Sequence, residues 1–413
     1  MTSTIPTPMD FNTLDDFDVE NKTVFVRVDI NSPLDPETLA ILDTSRIESV
    51  IPTLQELYQK KAKIVILAHQ GRPGSWDFIP LKNHAEALQR ILGVPVCYVD
   101  DIFGGKAHKK ITELQARDII LLENVRQYAE EMNKKTPGEH AKTDLVTSLA
   151  PLGDVFINDA FAAAHRSQCS LVGFTPVLPS GAGRLLEKEI ATLTQLMSQP
   201  KKPVVFILGG AKYGNVLPVM NAVLSQGIAD WVLLAGIPAL AFLESQSYML
   251  GEKNIVEKGE IKEKIQKLYR RYKNQIVLPS DFAWEENGKR QEGTLSQISQ
   301  RYTICDIGEK TITSFREKIL NAATIFLSGP MGIFERKIFM QGTRGICQAI
   351  TDSQGFSIIG GGHTIAALNQ LGLSSQVSYI STGGGSLERF IMGEKLPVIE
   401  ALKASKNLNK PSD

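Results

Sequence analysis

The chain has 413 residues, with 45 lysines and arginines against 45 aspartates and glutamates, and 43% of its residues are hydrophobic. That is an ordinary globular composition, long enough for two domains, and its zero net charge argues against a globally basic nucleic-acid binder. The four cysteines, Cys97, Cys169, Cys305 and Cys347, are scattered with no CxxC or Cys/His spacing, which argues against structural zinc and for a reducing, cytoplasmic setting.

The first ten residues lack the basic-then-apolar pattern of a signal peptide. Thr23–Asp29 alternates as a strand and leads into a turn-rich stretch with Pro33, Asp35 and Pro36. An amphipathic helix is predicted from about Ser45 to Lys60, a buried strand over Lys63–Ala68 and a helix near Lys82–Leu92. Next come a strand over Val94–Val99, a helix near Ala107–Ala116, a strand over Asp118–Leu122, a helix near Ala141–Leu149 and a strand over Val155–Asn158. This alternation predicts a mostly parallel, doubly wound sheet.

After Gly181–Gly183, an apolar stripe of Leu185, Ile190, Leu193 and Leu196 marks a long mid-chain helix. A second series of strands follows at 203–208, 231–234, 275–278, 324–327, 356–359 and 378–380. The longest apolar stretch, Trp231 to Leu243, is broken by Gly236 and Pro238 and is too short to cross a membrane. The expected fold class is therefore α/β, with two doubly wound parallel-sheet domains, a helical hinge and an interdomain cleft. The expected bounds are 1–182 for the first domain, 183–198 for the hinge helix and 199–395 for the second domain. A tail, 396–413, is expected to pack back toward the hinge or first domain, with its polar end from Ser405 loose.

Ligands of open parallel sheets bind beyond the carboxyl ends of the strands. In the first half those ends carry Asp29 and Asn31, then His69 and Arg72, then Arg126, then Asn158 to Arg166 with His165, while Arg46 opens the first helix. Period two places Arg27 beside Asp29 on one face. Arginine grips carboxylate and phosphate through paired hydrogen bonds, so the set implies a small acid carrying several negative charges. The second half ends its strands in glycine: Gly209-Gly210 before Lys212, Ala235-Gly236, Gly329-Pro330 with Gly332, Gly360-Gly361-Gly362 and Gly383-Gly384-Gly385. Glycine turns that open helices present free N–H groups to phosphate. Lys212 adds a positive charge beside a transferring phosphoryl group. Neither a GxxxxGK[ST] loop nor a GxGxxG opening the first unit is present. One half that binds an acid and one that binds phosphates imply a kinase whose closure excludes water.

The chain resembles phosphoglycerate kinases across almost its full length, most closely the archaeal type. The matching segments are Val26–Pro33, Ala68–Pro73, Leu121–Arg126, Asn158–Arg166, Leu185–Glu189, Leu208–Lys212, Asp306–Gly308, Ser328–Glu335, Gly342–Thr343, Gly360–Thr364 and Ile380–Gly385. The resemblance implies reversible phosphoryl transfer between MgATP and 3-phosphoglycerate, giving ADP and 1,3-bisphosphoglycerate, in a monomer or a homodimer. It implies that Asp29, Asn31, His69, Arg72, Arg126 and Arg166 hold the phosphoglycerate and that Arg46 stabilises the phosphoryl in transfer. Lys212 would meet the nucleotide phosphates, and Gly210, Gly236, Pro330, Glu335, Gly361, Gly362, His363 and Thr364 would line the nucleotide site. Gly361 and Gly384 would support the transferring group, and Mg2+ would be held mainly by the nucleotide phosphates rather than by a protein ligand.

Departures from the family pattern cluster on the nucleotide side: Tyr213, Asn215 and Val216 after the lysine, Ala235 for glycine, Ser328 for asparagine and His363 for aspartate. Arg184 replaces an aromatic residue in the mid-chain helix. The alternative they raise is a homologue that binds phosphoglycerate but is impaired at its nucleotide site. A kinase of the same fold acting on a related phosphorylated acid is a third reading.

Overall fold

The computed structural model of the chain describes residues 9–211, 214, 216–248, 250, 260–298 and 301–408. These divide into two compact units, Met1–Thr192 with Glu394–Asp413, and Leu193–Gly393. Among the described residues, no helix is long and apolar enough to cross a membrane.

The first unit is built on strands β1 (Asn12–Thr13), β2 (Thr23–Val28), β3 (Lys63–Leu67), β4 (Cys97–Val99), β5 (Ile119–Leu122), β6 (Val155–Asp159) and β7 (Ser180–Ala182). They form one parallel sheet in the order β1-β7-β6-β2-β3-β5-β4. Every residue of β2 and β6 is buried, as both faces of a central parallel strand must be. Helices α1 (Ser45–Gln59), α2 (Lys82–Leu92), α3 (Gly105–Thr112), α4 (Pro137–His140), α5 (Asp144–Leu149) and α6 (Cys169–Val172) belong to this unit. On one sheet face Val24, Val26 and Ile66 pack with Ile47, Val50 and Leu54 of α1; on the other Phe25, Phe156 and Phe174 stack.

Helix α7 (Arg184–Ser198) spans the boundary between the units. Its first turn is fixed to the first unit. The Arg184 N–H donates to Thr53 Oγ1 at 2.8 Å, and the Leu186 N–H to Asp159 Oδ1 at 2.9 Å. The Arg184 guanidinium donates to Glu56 at 2.6 and 2.8 Å, to Asp15 at 2.5 and 3.0 Å, and to Glu187 at 2.8 Å. All five of its donors are used.

The second unit runs β8 (Val204–Leu208), α8 (Val216–Ser225), β9 (Trp231–Leu234), α9 (Gly236–Ser245), α10 (Glu260–Arg271) and β10 (Ile276–Val277). Then come β11 (Phe282–Glu286), β12 (Lys289–Gly293), β13 (Ile304–Ile307), α11 (Glu309–Leu320), β14 (Thr324–Ser328), α12 (Gln341–Asp352), β15 (Phe356–Gly360), α13 (Gly362–Gln370), β16 (Tyr379–Ile380) and α14 (Gly385–Ile391). Its six-stranded sheet has the order β10-β9-β8-β14-β15-β16. A separate antiparallel sheet, β12-β11-β13, interrupts the βα series that the sequence predicts.

Three further expectations are corrected. The predicted strand from Val94 starts only at Cys97, since Pro95 has no ladder N–H to give. The predicted helices from Ala107 and Ala141 span Gly105–Thr112 and Asp144–Leu149, the latter behind a separate turn, Pro137–His140, capped by Thr136 and Glu139. The polar end is not loose from Ser405. Helix α15 (Pro397–Leu408) carries Val398, Ala401, Leu402 and Ser405 on a buried stripe, and the Val398 N–H donates to Ala164 O at 3.2 Å. Residues 409–413 lie outside the described residues.

Candidate active site

In the first unit, β6, β2, β3 and β5 are neighbours in the sheet, so their carboxyl ends deliver side chains to one place. Asp29, just past β2, is buried, and its Oδ1 lies 3.0 Å from Arg46 Nη1 at the start of α1. The same oxygen accepts the Asn31 N–H at 3.1 Å. Asn31 Oδ1 accepts the Gly71 N–H at 2.8 Å, which ties the loop after β2 to the loop after β3. Gln70 and Ser32 strengthen that tie through two bonds of 2.9 and 3.1 Å. Arg126 donates to the Gly71 carbonyl, and Asn124 Nδ2 donates to the Gln70 carbonyl at 2.8 Å, adding the loop after β5. Beyond β6, Arg166 Nε lies 3.2 Å from His165 Nε2. Arg72 is exposed and its backbone is held by Ser75, with bonds of 3.0 and 2.7 Å.

The electrostatics favour an anion. Burial lowers the pKa of Arg126 to about 10, and Arg166 and Arg27 push the same way. Burial also lowers that of Arg166, with Arg72 and Arg46 adding to the effect and Asp29 opposing it. Crowded guanidinium groups destabilise one another, and a multiply charged anion relieves that strain. Burial works against ionisation of Asp29, but His69, Arg46, Arg27 and the Asn31 N–H together outweigh it and hold the carboxyl well below its usual range. Burial drives His69 well below its usual range; Arg27, Arg126 and Arg166 reinforce this against Asp29, so its imidazole is neutral at pH 7. Arg27, which the strand alternation places on one face with Asp29, is completely buried and engaged with Ser170 and His69.

In the second unit, β8, β14 and β15 lie side by side and end in glycine. The Gly210 N–H donates to Pro330 O at 2.8 Å and the Ile237 N–H to Gly210 O at 3.0 Å, which draws the loops after β8, β14 and β9 together. The Gly329 N–H donates to Thr364 Oγ1 at 2.7 Å and joins β14's loop to the start of α13. These loops surround a cavity of about 680 Å³, a volume typical of small-molecule sites. Gly210, Gly236, Pro330, Glu335, Gly361, Gly362, His363, Thr364 and Gly384 all line it. Gly361 precedes α13 with φ +85°, and an added Cβ would sit 3.3 Å from Ser328 Oγ. That backbone and close approach call for glycine. Lys212, Tyr213 and Asn215 lie outside the described residues.

Sequence reasoning overlooks the apolar wall of this cavity, formed by Val219, Leu240, Ile307, Met331 and Phe334. They belong to ordinary core patterns, with no signal that separates a cavity wall from packing. It also overlooks Arg290, whose guanidinium donates to Asp306 Oδ2 at 2.8 Å, to Ile307 O at 2.9 Å and to Ile338 O at 3.1 Å. Asp306 Oδ2 in turn accepts the Gly342 N–H at 2.8 Å. Burial raises the Asp306 pKa to about 6 in spite of these partners.

Arginines gathered at one end of the first unit's sheet and a glycine-lined cavity in the second unit are an arrangement that suits a phosphotransferase acting on small anions. The family description "Phosphoglycerate kinase" matches residues 14–394. The chain belongs to the phosphoglycerate kinase family. It is 49% identical over 397 residues to the phosphoglycerate kinase of Methanobacterium bryantii, covering 95% of this chain and 97% of that one. The phosphoglycerate kinase of Methanothermus fervidus is 46% identical, with 96% and 98% covered. The crystal structure of the enzyme from Pyrococcus horikoshii OT3 superposes with a TM-score of 0.87 at 39% identity, covering 95% of this chain and 99% of that one.

Proposed function

We propose that this chain catalyses reversible transfer of the γ-phosphoryl of MgATP to the carboxylate of 3-phosphoglycerate, yielding ADP and 1,3-bisphosphoglycerate. The observation that carries this reading is the complete arginine set, Arg46, Arg72, Arg126 and Arg166, at one end of the first sheet. These arginines, with Asp29, Asn31 and His69, hold the acid. The glycine-cradled cavity holds the nucleotide, its apolar wall against the base and Glu335 among its polar groups.

A carboxylate oxygen attacks the γ-phosphorus, and the bond from that phosphorus to the ADP oxygen breaks. The nucleophile is already ionised, so no general base is needed; positioning and charge stabilisation supply the rate. Arg46, set by Asp29, supplies positive charge to the phosphoryl in transfer. The Gly361 cradle is one that a Cβ would fill, which fits a phosphate-bearing ligand with its cation carried on the phosphates. Mg2+ bound with the nucleotide would neutralise phosphate charge; Gly361, Gly362 and Gly384 offer their backbone to the phosphates, and Lys212 adds its charge.

The departures at Val216 and Ser328 leave the cavity open, as both residues line it, and Ala235 is fully buried at the end of β9. The four free cysteines suit the cytoplasm. Each unit supplies its own side chains to its own site, so a monomer suffices. An assay of ADP formation with ATP, magnesium and 3-phosphoglycerate tests the reading; tight phosphoglycerate binding without turnover refutes it.

A further inference from the structure

One buried polar chain ends on His69, and its other members have no part in the reaction above. Glu131, Ser170 and Arg27 are each fully buried, and His69 is 3% exposed. Glu131 accepts the Ser170 N–H at 2.8 Å and the Ser170 hydroxyl at 2.7 Å. Ser170 Oγ accepts Arg27 Nε–H at 2.8 Å. Arg27 Nη1 donates to the Val28 carbonyl, and Arg27 Nη2 lies 3.0 Å from His69 Nδ1.

The last contact has one chemical solution. Guanidinium nitrogens donate and never accept. His69 Nδ1 must therefore present its lone pair to Arg27. That excludes both the imidazolium and the Nδ1–H tautomer, so the ring proton sits on Nε2. No partner takes Nε2 among the described residues, and it lies on the side of the ring away from Arg27. The groups acting on the ring agree. Arg27 on β2, Arg126 after β5 and Arg166 after β6 all oppose a charge on it, and only Asp29 after β2 favours one.

We propose that Arg27 is a positioning residue that locks His69 as a neutral Nε2–H donor, so that the histidine offers a hydrogen bond to a ligand oxyanion. Glu131 and Ser170 hold Arg27 in place to do this. The ligand contact rests on the anion site being the phosphoglycerate site; the locked tautomer does not. The histidine adds a donor to the cluster without adding a sixth positive charge to Arg27, Arg46, Arg72, Arg126 and Arg166. A protonated His69 would lose the Arg27 bond and raise the repulsion.

The test is a long-range proton–nitrogen correlation spectrum of the full chain with nitrogen-15 in its histidine rings, recorded between about pH 5.5 and 8. The expected His69 signature is an unprotonated Nδ1 and a protonated Nε2, constant across that range. A proton on Nδ1, or titration near the free value, overturns the proposal. Arg27→Met should release the ring, giving mixed tautomers and a midpoint that rises. If the loss of Arg27 prevents folding, Ser170→Ala serves instead and should broaden or shift the same signals. Unchanged signals in a folded Arg27→Met protein refute the lock.

Activity gives a second arm. In His69→Gln the amide nitrogen reaches the Nε2 position, and in His69→Asn the Nδ1 position. Glutamine should keep the KM for 3-phosphoglycerate within a few-fold, whereas asparagine should raise it about tenfold or more. Equal effects overturn the Nε2 assignment. A normal tautomer signature with no response of His69 to 3-phosphoglycerate places the fault in the proposed ligand site, not in the lock.

Discussion

Arg46 and Asp29 form an ion pair of 3.0 Å between the first turn of α1 and the end of β2. The Asp29 carboxylate is buried and Arg46 is about one-third exposed, its side chain at 35%. The pair aims a cation from a fixed point rather than from a free surface side chain. Arg46→Ala should therefore lower kcat by about a hundredfold or more, with a much smaller loss of phosphoglycerate affinity. Steady-state kinetics beside calorimetric binding separate the two. An unchanged kcat removes Arg46 from the phosphoryl transfer.

Gly361→Ala forces a side chain onto a φ of +85° beside Ser328 Oγ. The strain is about 1–3 kcal/mol, so ADP binding should weaken by roughly tenfold or more. Phosphoglycerate binding, in the other unit, should not change. Titration calorimetry with each ligand checks this, and equal losses for both would point to general misfolding.

Arg184 anchors α7 through Glu56, whose side chain is 24% exposed, and Asp15, whose side chain is 68% exposed. Exposed pairs are screened by solvent and contribute little. Glu56→Gln should clearly lower the unfolding free energy measured in urea, Asp15→Asn only slightly, and Arg184→Met the most, by ~1–3 kcal/mol. Raising the salt concentration should shrink the Asp15 effect first.

Asp159 gives a pH signature. Burial raises its pKa from an ordinary 3.8 to about 7, against hydrogen bonds from Thr53, Leu186 and Leu185, and one carboxylate oxygen has no partner. The folded protein thus holds a proton that the unfolded chain releases. This group's contribution falls as pH rises from about 4 to about 7 and is level above that. Asp306, raised to about 6, acts in the same direction. Asp159→Asn keeps an acceptor for the Leu186 N–H and removes the titration. The wild type should lose stability between about pH 5 and pH 8 by ~1–3 kcal/mol more than the variant does in urea unfolding. A parallel pH dependence in both proteins refutes the assignment.

Strands β2, β3 and β6 are legible in the sequence because central parallel strands are continuous apolar runs. Strands β1 and β7, of two and three residues, are too short for any period to show. The antiparallel sheet is missed although its hairpin is written in Asn287-Gly288, with φ of 51° and 74°; the polar Lys289–Gly293 masks it. Strand ends reveal Asp29, His69 and Arg126 as polar groups after apolar runs. They do not distinguish Arg27, whose burial depends on Glu131 and Ser170, 104 and 143 residues further along. Glu131 follows Glu130 in a polar stretch and carries no local sign that it is fully buried.

Helix α15 has a consequence for synthesis. Val398 hydrogen-bonds to Ala164, Lys406 Nζ donates to Met9 O, and Lys403 pairs with Asp10. The first unit therefore combines a segment translated before the second unit with one translated after it, whereas the second is one uninterrupted segment. Domains usually fold in order of emergence. Here the unit begun second is the one whose segment is complete first, and the unit begun first must wait with one seam open until α15 arrives.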